Sequence, residues 1–243
     1  MTLDVVGALG GGAFSRVFLV QERKSRRQYA LKSMLKATMV KCPKHVFLEQ
    51  KITKNINHPF TVRQFASFKD DRYLYFLMEH VPAGDLMDVL VSDAHVVQVK
   101  QGGCFSSKSR SVMRALPEHV VKFYVAYLVL TFEYLHGQSI IYRDLKPENV
   151  LVGADGYPKL ADFGFAKILY RHSRTYTFCG TPGYLAPENI LAHGYSFGVD
   201  WWGVGVVMFM LLTGKQPFSS PRSPDPMVIM RRIVDPTFEV REG

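Results

Sequence analysis

The residues best suited to chemistry lie in two short segments in the middle of the chain. Residues 142–149 read Tyr-Arg-Asp-Leu-Lys-Pro-Glu-Asn, which places Asp144, Lys146 and Asn149 close together. A second segment, Asp162-Phe163-Gly164, begins eighteen residues after Asp144. Carboxylate and amide oxygens are hard ligands for Mg²⁺, and a further carboxylate can accept the proton of a hydroxyl. This spacing predicts a magnesium site formed by Asn149 and one of the two aspartates, Asp144 or Asp162, with the other aspartate as a general base.

A glycine cluster, Gly10–Gly12, lies between two predicted strands near the start of the chain. Glycines let backbone amides approach phosphate groups closely, so the cluster is a candidate phosphate-binding loop. The alternative is an ordinary hairpin turn. No helix follows the cluster and no Gly-Lys-Ser/Thr sequence ends it, which argues against a dinucleotide-binding βαβ unit and a Walker-type P-loop.

Lys32 lies at the end of the third predicted strand, in the sequence Tyr-Ala-Leu-Lys. A lysine buried on a sheet face needs an anionic partner. Glu49, on the predicted helix that follows, can supply one, and a phosphate group can supply another. The alternative is a strand lysine that faces solvent.

The elements that must position these residues follow from the hydrophobic pattern. Runs of β-branched and aromatic residues predict strands over 5–9, 17–20, 29–32, 60–68 and 73–78, with a helix over 44–56. Further along, the pattern predicts long helices over 118–136 and 199–213, the second of them buried. Residues 91–115 are basic, Ser-rich and without period, which predicts a flexible surface insertion.

Composition and charge exclude several classes of protein. Apolar residues make up 47% of the chain and charged residues 21%, which excludes disorder and a collagen-like repeat. The three cysteines form no metal-ligand pair and indicate a reducing compartment. The longest apolar run is too short for a span of about 20 residues, so we predict a cytoplasmic protein with no membrane span. The net charge of +9 favours anionic partners, but no cluster of basic and stacking aromatic residues indicates nucleic acid.

Taken in order, these motifs resemble the catalytic domain of a eukaryotic protein kinase. The match includes the glycine cluster, Lys32, Glu49, the two central segments, Ala186-Pro187-Glu188 and Asp200. Tyr142 before Arg143, with residues 162–167 and 177–182, is similar to the AGC group and within it to the cyclic-nucleotide-dependent kinases. Residues 177–179 and 225–227 favour the cGMP-dependent branch. The alternatives are a cAMP-dependent or other AGC kinase, or an inactive pseudokinase or truncated product.

The resemblance implies a bilobal α+β kinase fold over residues 1–243. Residues 1–80 form a small antiparallel lobe, and residues 81–243 form a mainly helical lobe that we expect to be incomplete because the chain stops at Gly243. The implied activity is transfer of the γ-phosphoryl group of ATP, with Mg²⁺, to Ser or Thr hydroxyls of proteins. A regulatory region or subunit that binds a cyclic nucleotide is expected outside this chain.

The same resemblance assigns roles to individual residues. Asp144 accepts the proton of the substrate hydroxyl, Lys146 contacts the γ-phosphate, and Lys32 holds the α- and β-phosphates while Glu49 orients it. Asn149 and Asp162 bind Mg²⁺. The residues implied to bind ATP surround the glycine cluster and line the adenine pocket: Leu9, Gly10, Gly11, Gly12, Ala13, Phe14, Ser15, Arg16, Val17, Ala30, Lys32, Met78, Glu79, Val81 and Leu151.

Substrate recognition and regulation follow by the same resemblance. Glu148 and Asp85 are acidic residues where related kinases receive basic residues upstream of the target hydroxyl, and Thr181 belongs to the Ser/Thr pattern. Thr177 is the predicted phosphorylation site, with phosphate ligands at His45, Arg143 and Lys167. Several residues depart from the family pattern: Ser15, Thr53, Gln64, Gly183 and Met210. Thr53 and Gln64 are polar at two positions of a stacked column in which relatives place apolar residues.

Overall fold

The N-terminal part of the chain forms a five-stranded antiparallel sheet in the order β1-β2-β3-β5-β4. In this computed structural model, residues 2–11, 15–39, 43–91, 113–170, 172–219 and 225–239 are described, without the side chains of 38–47. The strands are β1 (Leu3–Gly11), β2 (Ser15–Glu22), β3 (Gln28–Leu35), β4 (Gln64–Lys69) and β5 (Tyr73–Glu79). On β3, Ala30, Lys32 and Met34 alternate onto one buried face.

Two helices follow β3, namely α1 (Lys36–Met39) and α2 (Pro43–Asn55). The side chains of Glu49 and Ile52 on α2, and of Ile56 directly after it, are buried and recur at helical spacing. Ile52 and Ile56 belong to the main hydrophobic core. The apolar stripe therefore fixes the rotation of α2, and with it the direction of Glu49.

The second part of the chain is mainly helical. Its helices are α3 (Leu86–Val91), α4 (Glu118–Gly137), α5 (Pro187–Ile190), α6 (Gly198–Thr213) and α7 (Pro226–Val234). Two short antiparallel pairs, β6 (Ile140–Ile141) with β9 (Lys167–Ile168) and β7 (Val150–Val152) with β8 (Pro158–Leu160), lie between α4 and α5. The predicted α+β, bilobal kinase fold is confirmed.

The long helices α4 and α6 form the centre of the main core. Val121, Leu128, Phe132 and Leu135 of α4 are buried in the same cluster as the apolar residues of α6. Helix α6 ends where Gly214 adopts a left-handed conformation (φ 66°) and its N–H bonds the Met210 carbonyl. A side chain there would meet the Met113 carbonyl at 2.8 Å, which favours glycine at this position.

Three predicted boundaries are wrong. Residues 60–63 do not extend β4, because Phe60 and Val62 hydrogen-bond Leu160 of β8 instead of β5. Strand β1 continues into the glycine cluster as far as Gly11, because it pairs with β2 throughout. Within the predicted insertion at 91–115, Val91 ends α3 and Arg114 donates to the Leu90 carbonyl. Residues 92–112 lie outside the described part of the chain.

Candidate active site

Lys32, Glu49 and Asp162 meet between the sheet and the helical part. Lys32 pairs with Val17 on one side and Phe76 on the other, so it lies in the middle of the sheet. Its ammonium nitrogen lies 2.7 Å from Glu49 Oε1 and 2.9 Å from Asp162 Oδ1. The Lys32 and Glu49 side chains are buried, whereas that of Asp162 is half-exposed. Residues 130 positions apart in the chain are thus joined at one cation.

The electrostatics of this cluster keep Lys32 charged. Burial disfavours its ammonium group, but the two carboxylates outweigh that effect and raise the pKa of Lys32. Around Asp162, desolvation opposes the carboxylate, and Lys32 together with the Gly164 N–H still lowers the pKa of Asp162. Desolvation is the larger influence on Glu49 and raises the pKa of its carboxyl in spite of Lys32. Lys32 therefore remains available as a charged donor to an anionic ligand, and the ionised, partly open Asp162 suits a cation beside it.

Asp144 lies in a hydrogen-bonded group that contains three other predicted site residues. Thr181 Oγ1 donates to Asp144 Oδ1 at 2.8 Å, and Lys146 Nζ donates to Thr181 Oγ1 at 3.1 Å. Lys146 Nζ also lies 3.3 Å from Asp144 Oδ2. Asn149 Nδ2 donates to the Asp144 carbonyl at 2.8 Å and to Oδ2 at 3.1 Å. The Asp144 carboxylate therefore already accepts a hydroxyl hydrogen, which is the contact a general base needs.

The backbone of this loop is held by one buried carboxylate on α6. Asp200 Oδ1 accepts the Arg143 N–H at 2.8 Å, and Oδ2 accepts the Tyr142 N–H at 2.9 Å. His136 Nε2 lies 2.8 Å from the same Oδ2. Arg143 (φ 75°) and Asp162 (φ 51°) both adopt the left-handed region, which costs of order 1–3 kcal/mol for each non-glycine residue. The bonds from Asp200 and Lys32 stabilise this strained geometry.

The donor chemistry of Asn149 and Asp162 fits a magnesium ion. Because the Asn149 amide nitrogen donates to Asp144, its oxygen Oδ1 is directed elsewhere and is free to act as a ligand. Asp162 uses Oδ1 for Lys32 and Gly164, which leaves Oδ2 without a protein hydrogen bond among the described residues. The described residues contain no cluster of three or more His, Cys, Asp or Glu side chains suited to a metal. An ion here depends on one amide, one carboxylate and further oxygens from a ligand.

The residues predicted to cover the ATP phosphates lie at the end of β1 and the start of β2. Gly10 and Gly11 lie on β1 opposite Val17 and Arg16. Ser15–Val17 lie on β2, and Leu9 is exposed on β1. Gly12, Ala13 and Phe14 lie outside the described residues. Gly10 and Gly11 are in strand conformation without positive φ.

The predicted adenine pocket is formed by neighbouring strands. Ala30 is buried and pairs with Met78, while Leu151 on β7 is half-buried. Glu79 uses its side chain in an ion pair with Lys159 at 2.9 Å. Neither the N–H nor the carbonyl of Val81 has a hydrogen-bond partner within the described part of the chain. Val81 can therefore offer both backbone groups to a base, as the resemblance implies.

The two predicted substrate-binding acids differ in their surroundings. Glu148 is exposed and forms no ion pair within the described residues. Asp85 begins α3, where its Oδ1 accepts the Asp88 N–H at 3.0 Å and Asp88 Oδ2 accepts the Asp85 N–H at 3.0 Å. Asp85 thus has a structural role as a helix cap. Sequence reasoning missed this role, although the Asp-x-x-Asp spacing signals it.

The segment that carries Thr177 is ordered by hydrogen bonds without a phosphate. The Thr177 side chain is exposed, and its carbonyl accepts the Tyr195 hydroxyl at 2.5 Å. Arg143 Nη1 donates to the same hydroxyl at 3.3 Å. Lys167 Nζ donates to Thr175 Oγ1 at 3.0 Å rather than to Thr177. The side chain of His45, the third predicted phosphate ligand, lies outside the described part.

Met210 and Gly183, which depart from the family pattern, both lie against neighbouring side chains. Met210 is fully buried, and its Sδ accepts the Tyr184 hydroxyl at 3.2 Å. Gly183 lies against Gln216, whose Oε1 would be 3.3 Å from an added side chain. Gln216 in turn donates to the Tyr184 hydroxyl at 3.3 Å. Neither Met210 nor Gly183 supplies an acidic group to this surface.

Sequence reasoning missed the functions of Asp200 and Tyr195 in the site. Asp200 is the one charged residue in α6, an otherwise apolar helix, and this isolation was the available signal. Tyr195 is buried beside Arg143 and Cys179, a free thiol whose pKa is raised by burial. Nothing in the local sequence around Tyr195 indicates these contacts. Both residues connect the loop of Asp144 to segments more than fifty positions later.

The amino-acid sequence also matches a known family and individual proteins. The protein kinase domain family matches residues 3–240. The cAMP-dependent protein kinase catalytic subunit PRKX of Homo sapiens is 42% identical over 217 residues, which is 88% of this chain and 54% of that protein. Its counterpart from Mus musculus is 43% identical over 217 residues, 88% of this chain and 55% of that protein.

The chain is also similar to cGMP-dependent protein kinases. The cGMP-dependent protein kinase 2 of Homo sapiens is 41% identical over 219 residues, which cover 89% of this chain and 26% of that protein. The chain therefore spans about half the length of the PRKX proteins and about a quarter of the cGMP-dependent one. In the part of the chain that the structure describes, no helix has the length and apolar character needed to cross a membrane.

Proposed function

The chain belongs to the protein kinase domain family, and from that premise we propose that it transfers the γ-phosphoryl group of ATP to Ser and Thr hydroxyls of proteins. Its similarity to cAMP- and cGMP-dependent kinases supports the AGC group. Both kinds of relative match at nearly equal identity, so the predicted preference for the cGMP-dependent branch stays a prediction. A cytoplasmic location also stays a prediction.

One observation carries the proposal. The Asp144 carboxylate accepts the hydroxyl hydrogen of Thr181 at 2.8 Å, while Lys146 lies within 3.3 Å of both residues. A substrate hydroxyl that entered this group would find an acceptor for its proton beside a positive charge for the transferred phosphoryl group. Lys32 lies on the opposite wall with Asp162, where a second positive charge would meet the other phosphates.

We assign the roles of the residues accordingly. Asp144 takes the proton as the substrate oxygen bonds to the γ-phosphorus and the bond to the β–γ bridging oxygen breaks. Lys146 neutralises charge on the transferred group, and Lys32, held by Glu49, orients the remaining phosphates. The adenine ring would lie among Val17, Ala30 and Leu151, with Val81 supplying backbone hydrogen bonds. The residues of the glycine cluster, Gly10–Gly12, would cover the phosphates of ATP.

Asn149 and Asp162 would hold Mg²⁺ through their free oxygens. When bound, the ion neutralises negative charge on the phosphate oxygens and fixes their orientation. The contribution of the protein is to keep these oxygens in place. Asn149 is fixed by its two bonds to Asp144, and Asp162 is fixed by Lys32 and the Gly164 N–H.

The partners are proposals of the same kind. Protein substrates with basic residues upstream of the target hydroxyl would suit the exposed carboxylate of Glu148. Met210 and Gly183 lack carboxylates, so this preference should be limited to the surface near Glu148 and Asp85. Regulation by a region or subunit that binds a cyclic nucleotide is supported by the names of the relatives.

The test is phosphoryl transfer by the full chain. The purified protein is incubated with Mg²⁺, labelled ATP and three peptides that differ only in a Ser, Thr or Tyr acceptor. We expect labelling of the Ser and Thr peptides, and Asp144→Asn should reduce it by about 10²-fold or more. The variant should keep the rise in melting temperature caused by MgATP. Absence of labelling by the unaltered protein, or equal turnover by the variant, would contradict the proposal.

A further inference from the structure

Helix α2 is tied to strand β4 by two hydrogen bonds between side chains. Gln50 Nε2 donates to Ser67 Oγ at 2.7 Å, and the Thr53 hydroxyl lies 2.5 Å from Gln64 Oε1. All four residues are partly buried. The resemblance implies apolar residues at positions 53 and 64, so the contact at this level is chemically different from the expected one.

The helix residues that make these bonds share a face with Glu49. Thr53 follows Glu49 by four positions and Gln50 by three, which places all three on neighbouring turns of one side. Thr53 Oγ1 also lies 2.8 Å from the Glu49 carbonyl. A hydroxyl has a single hydrogen, so the Glu49 carbonyl and Gln64 Oε1 share the one hydrogen of Thr53.

The location matters because the Lys32–Glu49 pair joins the same helix to the same sheet. Lys32 on β3 pairs with β5, and β5 pairs with β4, which carries Gln64 and Ser67. A shift of α2 relative to β4 would therefore change the 2.7 Å distance between Lys32 and Glu49. Hydrogen bonds are directional and fix such a shift more tightly than apolar contact of the same area.

We propose that Thr53 and Gln64 are positioning residues that set the placement of α2, and thereby the Lys32–Glu49 contact, through a polar pair. This inference rests on the proposed kinase function. The pair acts as a unit. Loss of Thr53 leaves the partly buried Gln64 oxygen without this donor, and loss of Gln64 leaves the Thr53 hydroxyl bonded only within α2, to the Glu49 carbonyl. Replacing both residues by apolar groups removes the unmatched polar group. Apolar contact between the side chains at positions 53 and 64, as expected in relatives, would then hold α2 against β4.

The test is a double-mutant cycle in the full chain with Thr53→Val, Gln64→Leu and the combination. Steady-state kcat and KM for ATP are measured together with melting temperature. Each single substitution should lower kcat by about five- to tenfold, the effect of one lost hydrogen bond between α2 and β4, and the combination should recover to within about twofold of the unaltered protein. Thr53→Ser, which keeps the hydroxyl, should also stay within about twofold.

Thr131→Val is the matched control. The Thr131 hydroxyl bonds the Tyr127 carbonyl four positions earlier at 2.7 Å and has no hydrogen-bond partner on another element within the described residues, so it reproduces the local bond of Thr53 without a cross-element partner. It should change melting temperature without a change in kcat. A purely structural role for Thr53 predicts that both variants lose kcat in proportion to their lost stability, which would overturn the proposal.

Two further outcomes test the proposed role of the Thr53–Gln64 pair. Unchanged kcat in both single variants, or losses that simply add in the combination, would overturn the polar pair. If the unaltered protein transfers no phosphate, the proposed function fails separately. The pair is then tested by the MgATP-induced rise in melting temperature, which should be smaller in each single variant and restored in the combination. An equal rise in all of the variants would overturn the proposal.

Discussion

Thr181 donates a 2.8 Å hydrogen bond to the carboxylate of Asp144, although the two residues lie 37 positions apart in the chain. The bond joins the segment that carries Thr177 to the loop that carries the proposed general base. Lys146 reaches the Thr181 oxygen at 3.1 Å, so one hydroxyl connects the base to the cation that would neutralise the phosphoryl group. A change in the conformation or phosphorylation of this segment should therefore change the rate of phosphoryl transfer.

Thr181→Val tests that connection. Removing the hydroxyl takes one hydrogen bond from a charged group, worth about 1.5–3 kcal/mol, so kcat should fall by roughly 10- to 100-fold. Thr181→Ser keeps the hydroxyl and should retain most of the activity. The measurement is steady-state phosphorylation of a Ser peptide at saturating ATP. A Val variant with the kcat of the unaltered protein would show that this hydroxyl is not needed.

Substrate preference should separate the two acidic residues. Glu148→Gln should raise KM for a peptide with upstream arginine by about two- to fivefold, the range of an exposed ion pair, without changing melting temperature. Asp85→Ala removes the cap of α3 and should destabilise the protein by about 1 kcal/mol. Asp85→Asn is its control, since the amide oxygen keeps the cap but not the charge. A peptide series in which upstream acidic residues are favoured would refute the proposed preference.

Phosphorylation at Thr177 should raise kcat above the basal level of the unphosphorylated protein. A phosphate on this exposed side chain adds about −1.5 to −2 charge, which Arg143 and Lys167 can neutralise. Lys167 would have to leave Thr175, its present partner at 3.0 Å. We expect phosphatase treatment and Thr177→Ala to lower kcat to a similar basal level, which the Tyr195–Thr177 bond maintains. Equal activity before treatment, after treatment and in the Ala variant would refute this regulation.

Lys167→Ala extends that test. In phosphorylated protein it should remove much of the gain in activity, because one of the two described phosphate ligands is lost. Lys122→Ala is the matched control, since Lys122 is exposed and, among the residues that the structure describes, pairs only with Glu118 on α4. Tyr195→Phe should lower the basal activity of unphosphorylated protein, because it removes the hydroxyl shared by Thr177 and Arg143.

The turn between β4 and β5 should give a measurable pH dependence of stability. The N–H groups of Tyr73 and Arg72 and the hydroxyl of Tyr75 lower the pKa of Asp70 below its usual 3.8, and the same contact raises the pKa of Tyr75 to about 12. For Asp70, stability is present above its unfolded pKa and is lost as pH falls through the lower folded value. For Tyr75, stability is present below its usual pKa of 10 and is lost as pH rises toward 12.

Asp70→Ala checks the sign of this effect. The variant should melt below the unaltered protein at pH 5–8, and the difference should shrink as pH falls below about 4. Tyr75→Phe should remove the loss of stability at alkaline pH. Melting curves across the pH range, with absorbance of tyrosinate to follow Tyr75, give both results. A difference that stays constant with pH would contradict the assignment.

The sequence by itself determined the elements and the chemical groups of the site. Hydrophobic period places α2, α4 and α6 to within a few residues, because one face of each helix must be buried. The spacing of Asp144, Asn149 and Asp162 indicates magnesium ligands beside a base, and the family resemblance assigns the base to Asp144 and the ligands to Asn149 and Asp162. Lys32 and Glu49 could be named as partners because a buried charge requires one.

Tertiary structure alone decided how these groups are joined. Asp200 holds the backbone of Tyr142 and Arg143, Thr181 bonds Asp144, and Gln64 meets Thr53, yet each contact joins different elements. Such contacts depend on the packing of helices and strands against one another, which local propensity does not encode. The same reason explains why β4 starts later than its pattern suggests: Phe60 and Val62 find their hydrogen bonds on β8, in the other part of the molecule.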